Sequence, residues 1–438
     1  MKIEYLFIDG YKNLSNFEAF FEKGSPINAI IGNNGSGKSN ILEALATIFS
    51  KIMVSDEAPN FTFDIVYSVY DNRIRVENRK GNLVITKNDE LVSKKKYRSL
   101  MPITVFLYYA GETKRLKDIS ENIVDKTFEY GVKSGENPNY KAITYLSVND
   151  FGASLLTNQC FNTNMLYKIL ELLDLEAVST KCVLNLQRPY WSNSGKADNF
   201  WNATGHIANT LTEYANQGSV KLINQSKTTI TLDDYTKLRD DTIGASGLFK
   251  NLKILFQAGI LESIDIDVIK DGQTFDCNLL SEGEKQISNL LSILNFTKDY
   301  RALFLLDEFD SYLHPSWQRK FAELIKGEKI EGQILFTTHS PLTLGKMCKD
   351  NILILKEGKV FNPAADTYNR DITEVLEEVM EVGKRPPDVE GTIKDFRNAA
   401  MRGEKENALS ILEQLKEILS ADDPFFITVK HLLSRLEG

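Results

Sequence analysis

Lys38 and Ser39 close the octet Gly32-Asn33-Asn34-Gly35-Ser36-Gly37-Lys38-Ser39, in which glycine recurs where a backbone must curl tightly. The octet fits GxxxxGK[ST]. Such a loop turns its N–H groups toward a phosphate at a helix amino terminus, where the helix dipole adds to the attraction. Lys38 is then placed to contact β- and γ-phosphates, and the Ser39 hydroxyl to ligate Mg2+. ATP and Mg2+ are the expected ligands. A second reactive position is Asp307-Glu308, ending the apolar run Leu303-Phe304-Leu305-Leu306. Carboxylates at the end of a buried strand are costly unless they have a use. Asp307 fits outer coordination of Mg2+, and Glu308 fits the base that polarises an attacking water.

These residues need rigid elements beneath them. Ser25-Pro26 breaks the chain, and Ile27 to Ile31 reads as a short buried strand. Past the loop, Ile41, Leu42, Leu45 and Ile48 share one face of a helix. Residues 61–109 alternate β-formers with turn residues and predict the hairpins of an antiparallel sheet, ending in a core strand, Val105 to Tyr109. Residues 113–260 read as mainly helical, most clearly over Met165–Leu175 and Asn199–Tyr214. Trp191 and Trp201, beside Gly, Pro and Asn, read as packing anchors. Leu280-Ser281-Glu282-Gly283-Glu284 precedes an apolar-periodic helix that Ser281 can cap. Gln333 to Thr338 predicts another core strand, leading into His339, and Asn351 to Leu355 one more.

Composition narrows the class. The chain has 438 residues and a net charge of −8, which argues against coating nucleic acid by bulk positive charge. Lys94-Lys95-Lys96 with Arg98, and Lys114-Arg115 with Lys117, read as solvated loops. Cys160, Cys182, Cys277 and Cys348 are too scattered for a zinc site or a disulfide framework. With no long apolar run and no signal-peptide layout at the start, no membrane partner and a cytoplasmic location are expected.

Asn34 and Asn40 extend the octet to GxNGxGKSN. In that form the motif resembles the RecF, SMC and OLD branch of ABC-type ATPases. Leu280-Ser281-Glu282-Gly283-Glu284 resembles the same class's LSGGQ signature, Leu313-His314-Pro315 its dimer-interface turn, and His339 its switch histidine. The resemblance implies an α/β fold: an ABC-type P-loop ATPase core with an antiparallel β subdomain, a helical insertion and a C-terminal helical tail. Gly32, Asn33, Asn34, Gly35, Ser36, Gly37, Lys38, Ser39 and Asn40 would hold the nucleotide. Ser281 and Gly283 would face the γ-phosphate bound by a second copy, and His339 would contact the γ-phosphate. Lys12, in Tyr11-Lys12-Asn13, would approach the nucleotide. Neither half-site is complete alone, so an ATP-sandwich homodimer or a higher oligomer is implied. The interval between the halves is too short and too interrupted by Gly and Pro for an SMC coiled-coil arm. A Mg2+-sensing loop glutamine cannot be placed.

The expected divisions are 1–112 (phosphate loop and β subdomain), 113–260 (insertion), 261–371 (signature, acidic strand, switch histidine) and 372–438 (a helical, net acidic, partner-binding tail). Val389-Glu390-Gly391 superficially matches a TOPRIM motif, but neither the preceding strand nor a later DxD is present. A short tail without TOPRIM resembles the PtuA family of ATPases from Septu-type and retron-associated anti-phage systems. It implies an ATP-hydrolysing sensor with a separate HNH nuclease subunit, and DNA as a further possible partner. Two alternatives stay open: an AriA-like ATPase of PARIS systems holding a toxin, and a RecF-like DNA-repair ATPase.

Overall fold

The computed structural model describes residues 1–429 except 80, 112–113, 124, 135–139, 193–194, 327–329, 365, 369, 381–384 and 428. The chain divides into two compact units, Met1–Tyr368 and Asn369–Gly438.

Short runs of Ile, Leu, Val and Phe, hydrophobic on both sides, suit a sheet covered on both faces. They form the core of the first unit. Its strands are β1 (Ile27–Gly32), β2 (Val105–Tyr109), β3 (Ile143–Tyr145), β4 (Leu303–Asp307), β5 (Gln333–Thr337), β6 (Ile352–Lys356) and β7 (Lys359–Phe361). They lie side by side in the order β7-β6-β1-β5-β4-β2-β3. All neighbours are parallel except β6 and β7. Ligands of such sheets gather at the carboxyl ends of the strands. Here β1 ends at Gly32, β4 at Asp307 and β5 at Thr337.

The helix Lys38–Ser55 was expected to bury one face. Ile41, Leu42, Leu45 and Ile48 of that face are essentially inaccessible, with Phe49 and Ile52, but burial extends around the helix to Glu43, Ala44, Ala46 and Ser50. The buried apolar residues share one cluster with Leu305, Leu335 and Leu353 of the core sheet and with Ile3, Leu6, Phe63 and Ile65. Those last four belong to a six-stranded antiparallel sheet in the order Phe17–Phe20, Lys2–Asp9, Thr62–Val69, Asn72–Arg79, Asn82–Lys87, Glu90–Leu91. The helix is held between two sheets.

The stretch expected to be helical does hold helices, among them Asn164–Leu173, Gly205–Gln217 and Gly244–Gln257, but it also contributes a sheet. Ala177–Gln187, Ser219–Asn224 and Lys227–Leu232 pair with Leu261–Lys270 and Gln273–Asp276 in a third, five-stranded sheet. Ala177–Gln187 hid its strand character because the register shifts between Val178 and Cys182, interrupting the two-residue alternation. The helix expected from Asn199 starts only at Gly205. Phe200, Trp201 and Asn202 have φ of 50, 54 and 59° and break it. Trp201 is buried, its Nε1 donating to the Gln225 carbonyl at 2.9 Å.

The second unit is helical where described: Ile372–Glu378, Pro387–Met401 and Lys405–Ile418. The last two pack through Val389, Ile393, Phe396, Leu412 and Leu415, with Phe425. Arg385 donates to both Asp423 oxygens, at 2.8 and 2.6 Å. The helical tail expected over 372–438 lies outside the described residues at 381–384, 428 and 430–438. Among the described residues no helix is long and apolar enough to cross a membrane.

Candidate nucleotide site

Gly32 ends β1 at φ 149°, where a Cβ would lie 2.3 Å from the Leu355 carbonyl oxygen. No other residue fits there without moving the sheet. Gly37, at φ 112°, turns the loop into the helix that begins at Lys38. Side chains from outside brace the loop: Asn13 Nδ2 donates to the Gly35 carbonyl at 3.1 Å, and Asn40 Nδ2 to Asn13 Oδ1 at 2.7 Å. Lys38 folds back over the loop, Nζ donating to the carbonyls of Gly32 at 2.8 Å and Asn33 at 3.2 Å. Burial lowers its pKa from the usual lysine value, and the carboxylates of Glu308 and Asp307 pull the other way.

Ser39 and Asp307, 268 residues apart, meet at 3.0 Å, the hydroxyl donating to Oδ1. Thr337 Oγ1, at the end of β5, donates to the same oxygen at 2.5 Å and accepts from the Glu308 N–H at 2.9 Å. Burial raises the Asp307 pKa above the usual aspartate value, and these two hydroxyls partly offset it; Glu308 raises it further and Arg115 lowers it. A cation beside Asp307 would favour its ionised form. Two hard oxygen donors, Ser39 and Asp307, suit Mg2+, and Ser36 Oγ in the loop is buried without a hydrogen-bond partner. The residues present fit a Mg2+–nucleotide.

Glu308 follows β4 at φ 50°, a left-handed conformation that an L-residue seldom adopts. His339 Nε2 lies 4.0 Å from Glu308 Oε1. Burial, then the nearby Lys38, lowers the His339 pKa, against a smaller upward pull from Glu308. Asp310, buried two residues on, accepts from Thr338 and Thr343 Oγ1 and so ties the turn after β4 to the segment around His339.

The helix Glu282–Phe296 opens on a reciprocal cap. Glu284 N donates to Ser281 Oγ at 3.3 Å, and Ser281 N to Glu284 Oε2 at 2.9 Å. Gly283 abuts the turn after β4, where a Cβ would sit 2.2 Å from the Tyr312 carbonyl oxygen. One helical turn along, Gln286 donates from Nε2 to the Phe309 carbonyl. Ser281 itself is exposed. His314 is exposed too, its Nδ1 2.8 Å from Ser316 Oγ. Lys12, expected near the nucleotide, pairs with Glu43 of the phosphate-loop helix.

The structure thus gathers Gly32 to Asn40, Asp307, Glu308 and His339 at one end of the core sheet. Sequence reasoning missed Thr337, Asp310, Gln286, Asn13 and Glu43. All but Glu43 lay in or beside motifs already read, but their partners could not be seen from the sequence.

A glycine-rich loop after β1, a histidine after the adjacent β5 and acids at the end of β4, on the far side of β5, define an ABC-like P-loop ATPase fold. The chain belongs to the AAA-domain family described as putative AbiEii toxin, Type IV TA system, matched over residues 27–345. It is 24% identical to the retron Vc95 probable ATPase of Vibrio cholerae, over 90% of this chain and 83% of that one. It is 29% identical to the retron Ec83 probable ATPase of Escherichia coli and 29% to the Septu protein PtuA of Bacillus thuringiensis. Those two matches cover 42% and 29% of this chain, and only 35% and 34% of the relatives' own lengths. Among solved structures, the SMC head domain from Thermotoga maritima overlaps at a TM-score of 0.37 and 16% identity, over 83% of this chain and 98% of that one.

Proposed function

We propose that this chain is an ATP-binding and ATP-hydrolysing subunit of an anti-phage defence complex, controlling a nuclease carried on a separate chain. The observation that carries the reading is the alignment with a retron probable ATPase along nine-tenths of the chain. A site of ATP-hydrolysing chemistry supports it. The loop Gly32–Asn40 holds the triphosphate, and Ser39 with Asp307 holds Mg2+, which would neutralise charge developing on the phosphates. Glu308 accepts a proton from the attacking water, and His339 keeps that carboxylate and the water aligned. Ser281 and Gly283 complete the site of a second copy, so two ATPs are buried between two chains. The helical unit after Tyr368 serves as the surface for the nuclease, of HNH type by the resemblance to PtuA.

Co-expression with the neighbouring gene, followed by affinity capture and a DNA-cleavage assay with and without ATP, tests this. A stoichiometric complex whose cleavage responds to ATP supports the reading. A toxin rather than a nuclease in that position would favour the PARIS-like alternative. Tight salt-sensitive DNA binding by this chain alone would favour the repair-type alternative.

A further inference from the structure

Arg115, read in the sequence as part of a solvated loop, is half-exposed, but it starts a helix and faces a buried carboxylate. It opens the helix Arg115–Glu121, whose next residue, Leu116, is 1% exposed and joins the same apolar cluster as the phosphate-loop helix. The segment leading to it leaves β2 directly beside the acidic strand. Tyr109 pairs in register with Asp307, and the Ala110 N–H donates to the Asp307 carbonyl at 3.2 Å. With that anchor, Arg115 Nη1 lies 3.6 Å from Glu43 Oε1, and its charge reaches Asp307.

Glu43 is the informative partner. Its side chain is 5% exposed, and it sits four residues past Ser39 on one helix face. Residues so spaced have Cβ atoms roughly 5–6 Å apart. Its two oxygens are held differently. Oε2 accepts from Lys12 Nζ and from Tyr11 OH, the latter at 3.4 Å. Oε1 is buried with no hydrogen-bond partner, since 3.6 Å to Arg115 is an ion pair without a hydrogen bond. If Arg115 left, Glu43 would keep Lys12 and Tyr11, so no buried carboxylate would be stranded. Arg115 itself is half-exposed, and an ion pair at 3.6 Å is its contact with Glu43.

We propose that Arg115 recognises the terminal phosphate of the bound nucleotide, exchanging its loose contact with Glu43 for the γ-phosphate oxygens. This rests on the nucleotide reading of the Gly32–Ser39 loop. A guanidinium is suited to the task, offering a planar fork of donors that matches phosphate oxygens in pairs. Its docking site lies about one helical turn from Ser39, within the sweep of an arginine side chain.

Because Arg115 is exposed, Arg115→Ala is expected to fold normally. The experiment measures the affinity of the full chain, with Mg2+, for ATPγS and for ADP. Arg115→Ala should weaken ATPγS binding roughly ten- to hundredfold and leave ADP within about twofold, the loss expected for a charge-assisted contact to one phosphate. Arg115→Lys should recover part of that discrimination. Unchanged binding of both nucleotides, or equal weakening of both, overturns the proposal. Glu43→Gln removes the rival charge and should preserve or increase the preference for ATPγS; a loss matching that of Arg115→Ala would mean the ion pair only braces two helices, and also overturns it. Lys38→Ala is the separate control. If it leaves both affinities intact the phosphate-loop reading fails, whereas the Arg115→Ala ratio still decides the role of Arg115.

Discussion

At residue scale, Glu308 and His339 are set by their surroundings more than by their own chemistry. An L-residue in left-handed backbone costs about 1–2 kcal/mol, and Glu308 is held there at φ 50° by its N–H bond to Thr337 and by the buried Asp310 that follows. His339, half-buried and near Lys38, has its pKa lowered from 6.5, so it is neutral at pH 7. In the window below 6.5 the unfolded chain binds the proton more tightly than the folded one. The contribution of His339 to stability is therefore present above pH 6.5 and lost as pH falls through its folded pKa. An NMR titration of the nucleotide-free protein, assigned with His339→Ala, is expected to give a midpoint below 6.5; a midpoint above it would contradict this electrostatic account. How legible were these residues? Lys38, Ser39, Asp307, Glu308 and His339 stood out because each lies in a short motif that ends or follows a buried apolar strand. Asp310 and Glu43 did not, because a single acid on a turn or helix takes its meaning from partners distant in sequence.

At element scale, five of the seven core strands were read almost to the residue, since a parallel sheet buried on both faces writes itself as unbroken apolar runs. The three-residue edge strands Ile143–Tyr145 and Lys359–Phe361 were too short to show. The five-stranded sheet was missed where a register shift and exposed edge residues erased the alternation. The contact between the helix Glu282–Phe296 and the turn after β4 was equally hidden, although it ties the signature to the acidic strand within one chain. Gly283→Ala tests it. Its Cβ would meet the Tyr312 carbonyl oxygen at 2.2 Å, and backbone cannot give way there as a flexible side chain would. Thermal unfolding should show a loss of about 1–3 kcal/mol, with ATP turnover reduced at least tenfold. Wild-type stability and turnover would mean that the helix and the turn can separate freely.

For the whole molecule, the central claim is that ATP joins two copies across Ser281 and Gly283. Ser281 is exposed, as are Leu279 at 75% and Tyr312 at 47%, which flank the signature and the turn after β4. Large apolar side chains left in solvent beside a functional loop suit a face that is covered when a partner arrives. The most direct measurement is the solution mass of Glu308→Gln by light scattering, with Mg2+ and either ATP or ADP. Removing the base should block hydrolysis while sparing binding. The account predicts a doubling of the 49.6 kDa mass with ATP and no doubling with ADP. A protein that binds ATP yet keeps the mass of a single chain would contradict it.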